Sequence, residues 1–153
     1  MGGMHAHVIL AAGQGTRMRS RLPKVLHPLL GKPMLLYALE AALALKPERL
    51  VVVVGHGGEK VVEALEGYPV EVAWQKEQLG TAHALLQAEG LLRDFPGPFL
   101  VTQGDTPLLS PRTLEALLRR LREGTGMALL TAELPDPTGY GRVVRGREDR
   151  VER

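Results

Sequence analysis

Short apolar runs and helical repeats alternate along the chain from its beginning. The run His7-Val8-Ile9-Leu10-Ala11-Ala12 carries no polar alternation, the pattern of a strand covered on both faces, as in a parallel sheet. Residues 50–54, 70–74, 99–103 and 127–133 repeat that theme. Between these strands the spacing predicts helices over residues 33–45, 58–66, 81–92 and 111–123. The last is the best marked. Ser110 can cap it, Pro111 suits its first turn and Gly124 its exit. Leu114, Leu117, Leu118 and Leu121 form one apolar stripe to lay on a sheet. Repeated β-α-β units imply right-handed crossovers and an α/β three-layer αβα sandwich around a mostly parallel sheet. Val143-Val144 reads as the start of a further strand.

The chain has 153 residues, enough for one domain (1–153) with a real core and too few for two. Because no closing element follows Val144, the domain is expected to be truncated on its C-terminal side, with no second domain present. A net charge of +2 gives no reason to expect a nucleic-acid partner. Arg119, Arg120 and Arg122 read as the solvated face of the last helix. With no cysteine, disulfides, thiolate metal sites and cysteine nucleophiles are excluded. Residues 1–7 lack the layout of a signal peptide, and no apolar run approaches the ~20 residues that span a bilayer. The default expectation is a cytoplasmic protein.

The richest chemistry follows the first strand, in Leu10-Ala11-Ala12-Gly13-Gln14-Gly15-Thr16-Arg17-Met18 and then Pro23-Lys24. Gly13 and Gly15 allow a tight turn that aims backbone N–H groups at a phosphate. Arg17 adds a planar charged fork for phosphate oxygens, and Lys24 a compact ammonium. Open α/β sheets bind ligands beyond the carboxyl ends of their strands, where this loop lies. The two better-known phosphate loops do not fit. The dinucleotide pattern needs glycine where Met18 stands, and Gly31-Lys32-Pro33 fails the P-loop at its last position.

The long string from Leu10 to Met18, followed by Pro23-Lys24, resembles the signature of the sugar nucleotidylyltransferases. Three further strings narrow the resemblance: residues 75–84 (Gln-Lys-Glu-Gln-Leu-Gly-Thr-Ala-His-Ala), Gly104-Asp105-Thr106-Pro107-Leu108, and residues 136–142 (Asp-Pro-Thr-Gly-Tyr-Gly-Arg). Together they look like the uridylyltransferase domain of the bifunctional enzymes that make UDP-N-acetylglucosamine, in register from Val8 to about Val144. The resemblance implies a Rossmann-like fold of the nucleotide-diphospho-sugar transferase type. It also implies a Mg²⁺ cofactor with Asp105 as its ligand, and Arg17 and Lys24 as the catalytic residues. Leu10, Ala11, Ala12, Gly13, Gly15, Thr16, Lys24, Gln75, Gly80, Thr81, Gln103, Gly104, Asp105 and Gly141 would line the nucleotide-sugar site. Within that set Gln75, Gly80 and Thr81 would read the uracil base, whose edge offers both a donor and an acceptor to a carboxamide.

The partners so implied are UTP, N-acetylglucosamine 1-phosphate, UDP-N-acetylglucosamine and pyrophosphate, and a homo-oligomer stays open. The sugar phosphate would attack the α-phosphorus of UTP in line, with no general base needed. The contacts to the sugar, and a β-helical acetyltransferase domain, would lie past Arg153, so the chain is expected to bind nucleotide better than sugar. Two other readings remain: a sugar-1-phosphate nucleotidylyltransferase for dTTP, CTP or GTP, and a non-catalytic module of the same fold that senses nucleotide sugars. The second would be expected to lack Arg17, Lys24 or Asp105. A hydrolase has no evident water-activating residue.

The histidines show no metal-ligand spacing. His5 and His7 are expected at a frayed terminus and His56 at a strand-to-helix turn, while His27 and His83 carry no evident chemistry. Trp74 reads as core or rim packing.

Overall fold

The computed structural model describes residues 4–13, 20–122 and 126–152, with Arg122 described by its backbone only. Its centre is a four-stranded parallel sheet made of β1 (Ala6–Ala11), β4 (Arg49–Val54), β5 (Glu71–Trp74) and β6 (Phe99–Gln103), in the order β5-β4-β1-β6. The mostly parallel, helix-flanked sheet expected from the apolar runs is the one observed. β1 is buried at every position and β4 at all but Arg49, which is why neither run alternates. Each fully buried Val or Ile contributes about 1.5–3 kcal/mol of transfer free energy, and these two strands supply the centre of the core.

Side chains alternate across the sheet. Ile9 and Ala11 of β1, with Leu50, Val52 and Val54 of β4, meet α1 (Met34–Ala44) and α2 (Gly58–Ala64) on one face. Val8, Leu10, Ala12, Val51 and Val53 meet α3 (Thr81–Leu86) and the short α4 (Glu89–Leu92) on the other. α5 (Pro111–Arg122) lies beside α1, with Leu114 and Leu118 against Ala41 and Leu100. Leu117 and Leu121 are half-buried and Arg119 and Arg120 exposed, so the stripe and its solvated opposite face are where the periodicity puts them. The Thr113 N–H donates to Ser110 Oγ at 3.2 Å, the cap the sequence implies.

Four expectations are corrected. Residues 127–133 form no strand: Met127, Leu129 and Leu130 are each more than half exposed. β-propensity describes fit to a pleated surface that neighbours must supply, and among the described residues none pairs with this run. Likewise Val143-Val144 starts no strand, and the strand-like pairing near it is an isolated bridge between Arg145 and Val151. The helix expected over 81–92 breaks at Gln87-Ala88 into α3 and α4. His5 and His7 are fully buried instead of frayed, because the Glu48 N–H donates to His5 O at 2.8 Å and the Ala6 N–H to Pro98 O at 3.1 Å, tying this end into the sheet.

One element was not foreseen. β2 (Pro28–Leu29) and β3 (Lys32–Pro33) form a hairpin closed by Leu30-Gly31, both at positive φ (52° and 82°). That is the primed two-residue turn whose twist matches its strands.

Candidate functional site

The carboxyl ends of all four parallel strands open on one edge of the sheet, and most of the described residues singled out in the sequence gather there. β1 delivers Leu10, Ala11, Ala12 and Gly13. β6 pairs with it in register, Leu10 opposite Gln103, and the Gly104 N–H extends the ladder by donating to Leu10 O at 2.8 Å. Asp105 therefore stands beside the start of the glycine loop. The expected roles of Gly15, Thr16 and Arg17 fall on residues 14–19, outside the described residues.

Lys24 reaches the same place by another route. It opens a 3-10 turn, Lys24–Leu26, whose Val25 and Leu26 are buried in the core. This pins the backbone while the Lys24 side chain remains half-exposed. Its Nζ lies 2.7 Å from Asp105 Oδ2, with side-chain exposures of 43% and 31%. Gly104 makes the approach possible: a Cβ there would stand 3.0 Å from Val25 Cγ1 and 3.3 Å from Leu35 Cδ1, tighter than the neighbours could accept without shifting. Its glycine has a packing reason independent of any ligand.

Gln75 occupies the far side of the edge. It follows β5, its N–H donates to Val54 O at 2.8 Å, and the residue is 3% exposed. With neighbouring strands about 4.8 Å apart, Gln75 stands roughly 10 Å across the sheet from β1, a span that suits the base-to-phosphate reach of a nucleotide. Its Nε2 donates to Gly80 O at 3.2 Å and lies 2.9 Å from His83 Nδ1. Gly80 has φ 103° and ψ 176°, a conformation open only to glycine in practice, and it lets the chain turn sharply into α3. Thr81 begins that helix and is exposed.

Gly141 is the outlier. It lies exposed on the irregular stretch after α5, and no described contact ties it to the strand ends.

Two residues at this edge escaped the sequence reading. A Cβ on Gly55 would stand 2.6 Å from Ala12 O and 2.7 Å from Gln78 Nε2, so Gly55 lets β4, β1 and the 75–80 loop converge. A glycine directly after a strand was the available signal. His83, given no chemistry from sequence, stands against Gln75. Trp74 is at the rim as expected, 42% exposed with its ring over Gly58, and His56 is an exposed turn residue. Among the described residues, no group of three or more His, Cys, Asp or Glu is placed to hold a metal ion.

Gly13 at the end of β1, a lysine–aspartate pair and a buried carboxamide share one edge of a parallel sheet, and the chain belongs to the MobA-like NTP transferase domain family, which it matches over residues 7–149. Over 146 residues, 95% of its length, it is 95% identical to the bifunctional protein GlmU of Thermus thermophilus, covering 32% of that protein. The resemblance drawn from the motifs is thus borne out, and the chain spans about a third of the length of the curated relatives it matches. Among solved structures, a nucleotidyl transferase from Methanothermobacter superposes with a TM-score of 0.64 at 32% identity, over 80% of this chain and 58% of that one. UDP-glucose pyrophosphorylase complexed with UDP-glucose shares the fold, with a TM-score of 0.65 at 24% identity, over 79% of this chain and 54% of the other.

Proposed function

We propose that this chain is the catalytic core of a uridylyltransferase, joining UTP to N-acetylglucosamine 1-phosphate and releasing pyrophosphate. The observation that carries the reading is the Lys24–Asp105 pair, set beside the end of β1 at 2.7 Å. The near identity to a Thermus GlmU supports the choice of substrates.

A phosphate oxygen of the sugar phosphate attacks the α-phosphorus of UTP, the new P–O bond forms, and the bond to the bridging oxygen of pyrophosphate breaks. The attacking oxygen is already ionised, so no protein base is needed. What the protein must supply is position and compensation of charge. The backbone N–H groups of the loop from Gly13, with Thr16 and Arg17, hold the β- and γ-phosphates. Lys24, held at its backbone by the buried Val25 and Leu26, places its ammonium against the charge that grows on the α-phosphate. Gln75, Gly80 and Thr81 take the base, Gln103 and Gly104 flank the ribose side, and Gly141, which no described contact ties to the strand ends, is assigned to the sugar by the motif alone.

Asp105 suits Mg²⁺: it is a part-exposed carboxylate on an open sheet edge, and this ion takes one or two carboxylates and fills its remaining positions with phosphate oxygens and water. When bound, the ion neutralises phosphate charge. A cytoplasmic location completes the proposal. No helix among the described residues is long and apolar enough to cross a membrane.

The test compares UTP, CTP, GTP and dTTP for binding and, with N-acetylglucosamine 1-phosphate, for pyrophosphate release. UTP should bind tightest. Lys24→Ala and Asp105→Ala should each lower turnover by ~10²-fold or more, the scale for losing one transition-state stabiliser. Asp105→Ala with wild-type turnover at saturating Mg²⁺, or no preference for UTP, would refute the reading.

A further inference from the structure

The Gln75 amide is oriented by its surroundings. An amide nitrogen offers two hydrogens and the oxygen none. Gly80 O, 3.2 Å from Nε2, can only accept, so it fixes the nitrogen on its side. His83 Nδ1, 2.9 Å from the same nitrogen, receives the second hydrogen, which requires that ring nitrogen to be unprotonated and to act as an acceptor. Both hydrogens are then used within the protein. Oε1 is left, and among the described residues nothing donates to it. The residue is almost wholly buried, so rotation to another orientation would leave polar groups unpaired, at a cost well above that of an ordinary lost hydrogen bond.

His83 is itself held. It lies in α3 one turn before Gln87, whose Nε2 donates to His83 O at 2.9 Å and stands 3.3 Å from His83 Nε2. With Nδ1 accepting, the ring proton sits on Nε2, which cannot bond the Gln87 amide nitrogen, itself a donor, so Gln87 holds His83 through the His83 backbone carbonyl alone.

We infer that His83 is a positioning residue for nucleotide choice: with Gly80 O it occupies both amide hydrogens of Gln75 and leaves Oε1 as a pure acceptor toward the base. An acceptor there welcomes the N3–H of uracil. It opposes the N3 lone pair of cytosine, which differs from uracil in offering no hydrogen at that ring nitrogen. This rests on the proposal that Gln75 reads the base, and it assigns to His83 the direction in which that reading runs.

The experiment measures affinity for UTP and CTP with Mg²⁺, read from the fluorescence of Trp74, the only tryptophan and the neighbour of Gln75, or by calorimetry. Melting curves establish that each variant folds. His83→Leu removes the acceptor, and His83→Ala does so with less bulk. His83→Asn keeps an oxygen near the position of Nδ1. The leucine and alanine variants should lose about threefold to tenfold in UTP affinity, the value of one neutral hydrogen bond, while CTP affinity holds and the preference collapses. The asparagine variant should restore the preference.

A folded His83→Leu or His83→Ala protein with the wild-type UTP/CTP ratio would overturn the inference, as would an asparagine variant behaving like leucine. Gln75→Ala separates this from the underlying reading. If that substitution leaves the ratio untouched, Gln75 does not read the base at all. If it abolishes the ratio while the His83 variants do not, only the role of His83 falls.

Discussion

His7 sits fully buried on β1 with Nε2 2.8 Å from Thr102 Oγ1 on β6. Burial, then the neighbouring His5, lowers its pKa to about 4. The neutral ring is therefore the folded form, and the unfolded chain takes up the extra proton between pH 6.5 and 4. Stability is unaffected by His7 above pH 6.5 and falls as pH drops through that window, by roughly 3 kcal/mol at the bottom of it. Thermal melts from pH 7.5 to 4 should steepen below pH 6.5 in the wild type and flatten in His7→Val; equal slopes would show that another group governs acid lability. The Lys24–Asp105 contact is of another kind. Both groups are part-exposed and reached by water, so the pair contributes little to stability, and its value lies in where it puts two opposite charges.

At the level of elements, Gly104 shows how packing and site are linked. A methyl group there would push on Val25 and Leu35, costing about 1–3 kcal/mol as overpacking and moving the turn that carries Lys24. Gly104→Ala should therefore lower both the melting temperature and UTP affinity, and a variant that lost only one of the two would separate these roles. The hairpin of β2 and β3 carries the opposite opportunity. Leu30 holds φ 52° and is 94% exposed, so Leu30→Asn should raise the melting temperature by about 2–4 °C, the equivalent of ~1 kcal/mol in a chain of this size. Calorimetry would register it. What the sequence made legible follows the same logic. Strands whose two faces are both covered read as unbroken apolar runs, and α5 carried its own cap and stripe. The run 127–133 was misread because a strand exists only with a partner, and the hairpin was missed because Leu30 is an unusual residue for its turn. Within the site, Lys24, Gln75 and Asp105 announced themselves through motifs. His83 and Gly55 did not, because each acts on a neighbour that only the folded chain brings near.

For the whole molecule, the decisive arrangement is the strand order, with β1 between β4 and β6. The first strand made is thus the one that needs two later strands on either side, β4 from Arg49 and β6 from Phe99. Such non-local pairing is slow to form. During synthesis the edge that brings Lys24 and Asp105 beside the end of β1 stays unbuilt until Asp105 has left the ribosome, so under the proposed function nucleotide engages only a chain that has already closed its sheet. A ligand recognising the finished state alone stabilises by mass action and acts on escape from that state. In stopped-flow experiments UTP should slow the unfolding limb and leave the folding limb where it was; an accelerated folding limb would mean that β1, β4 and β6 come together earlier than their order implies.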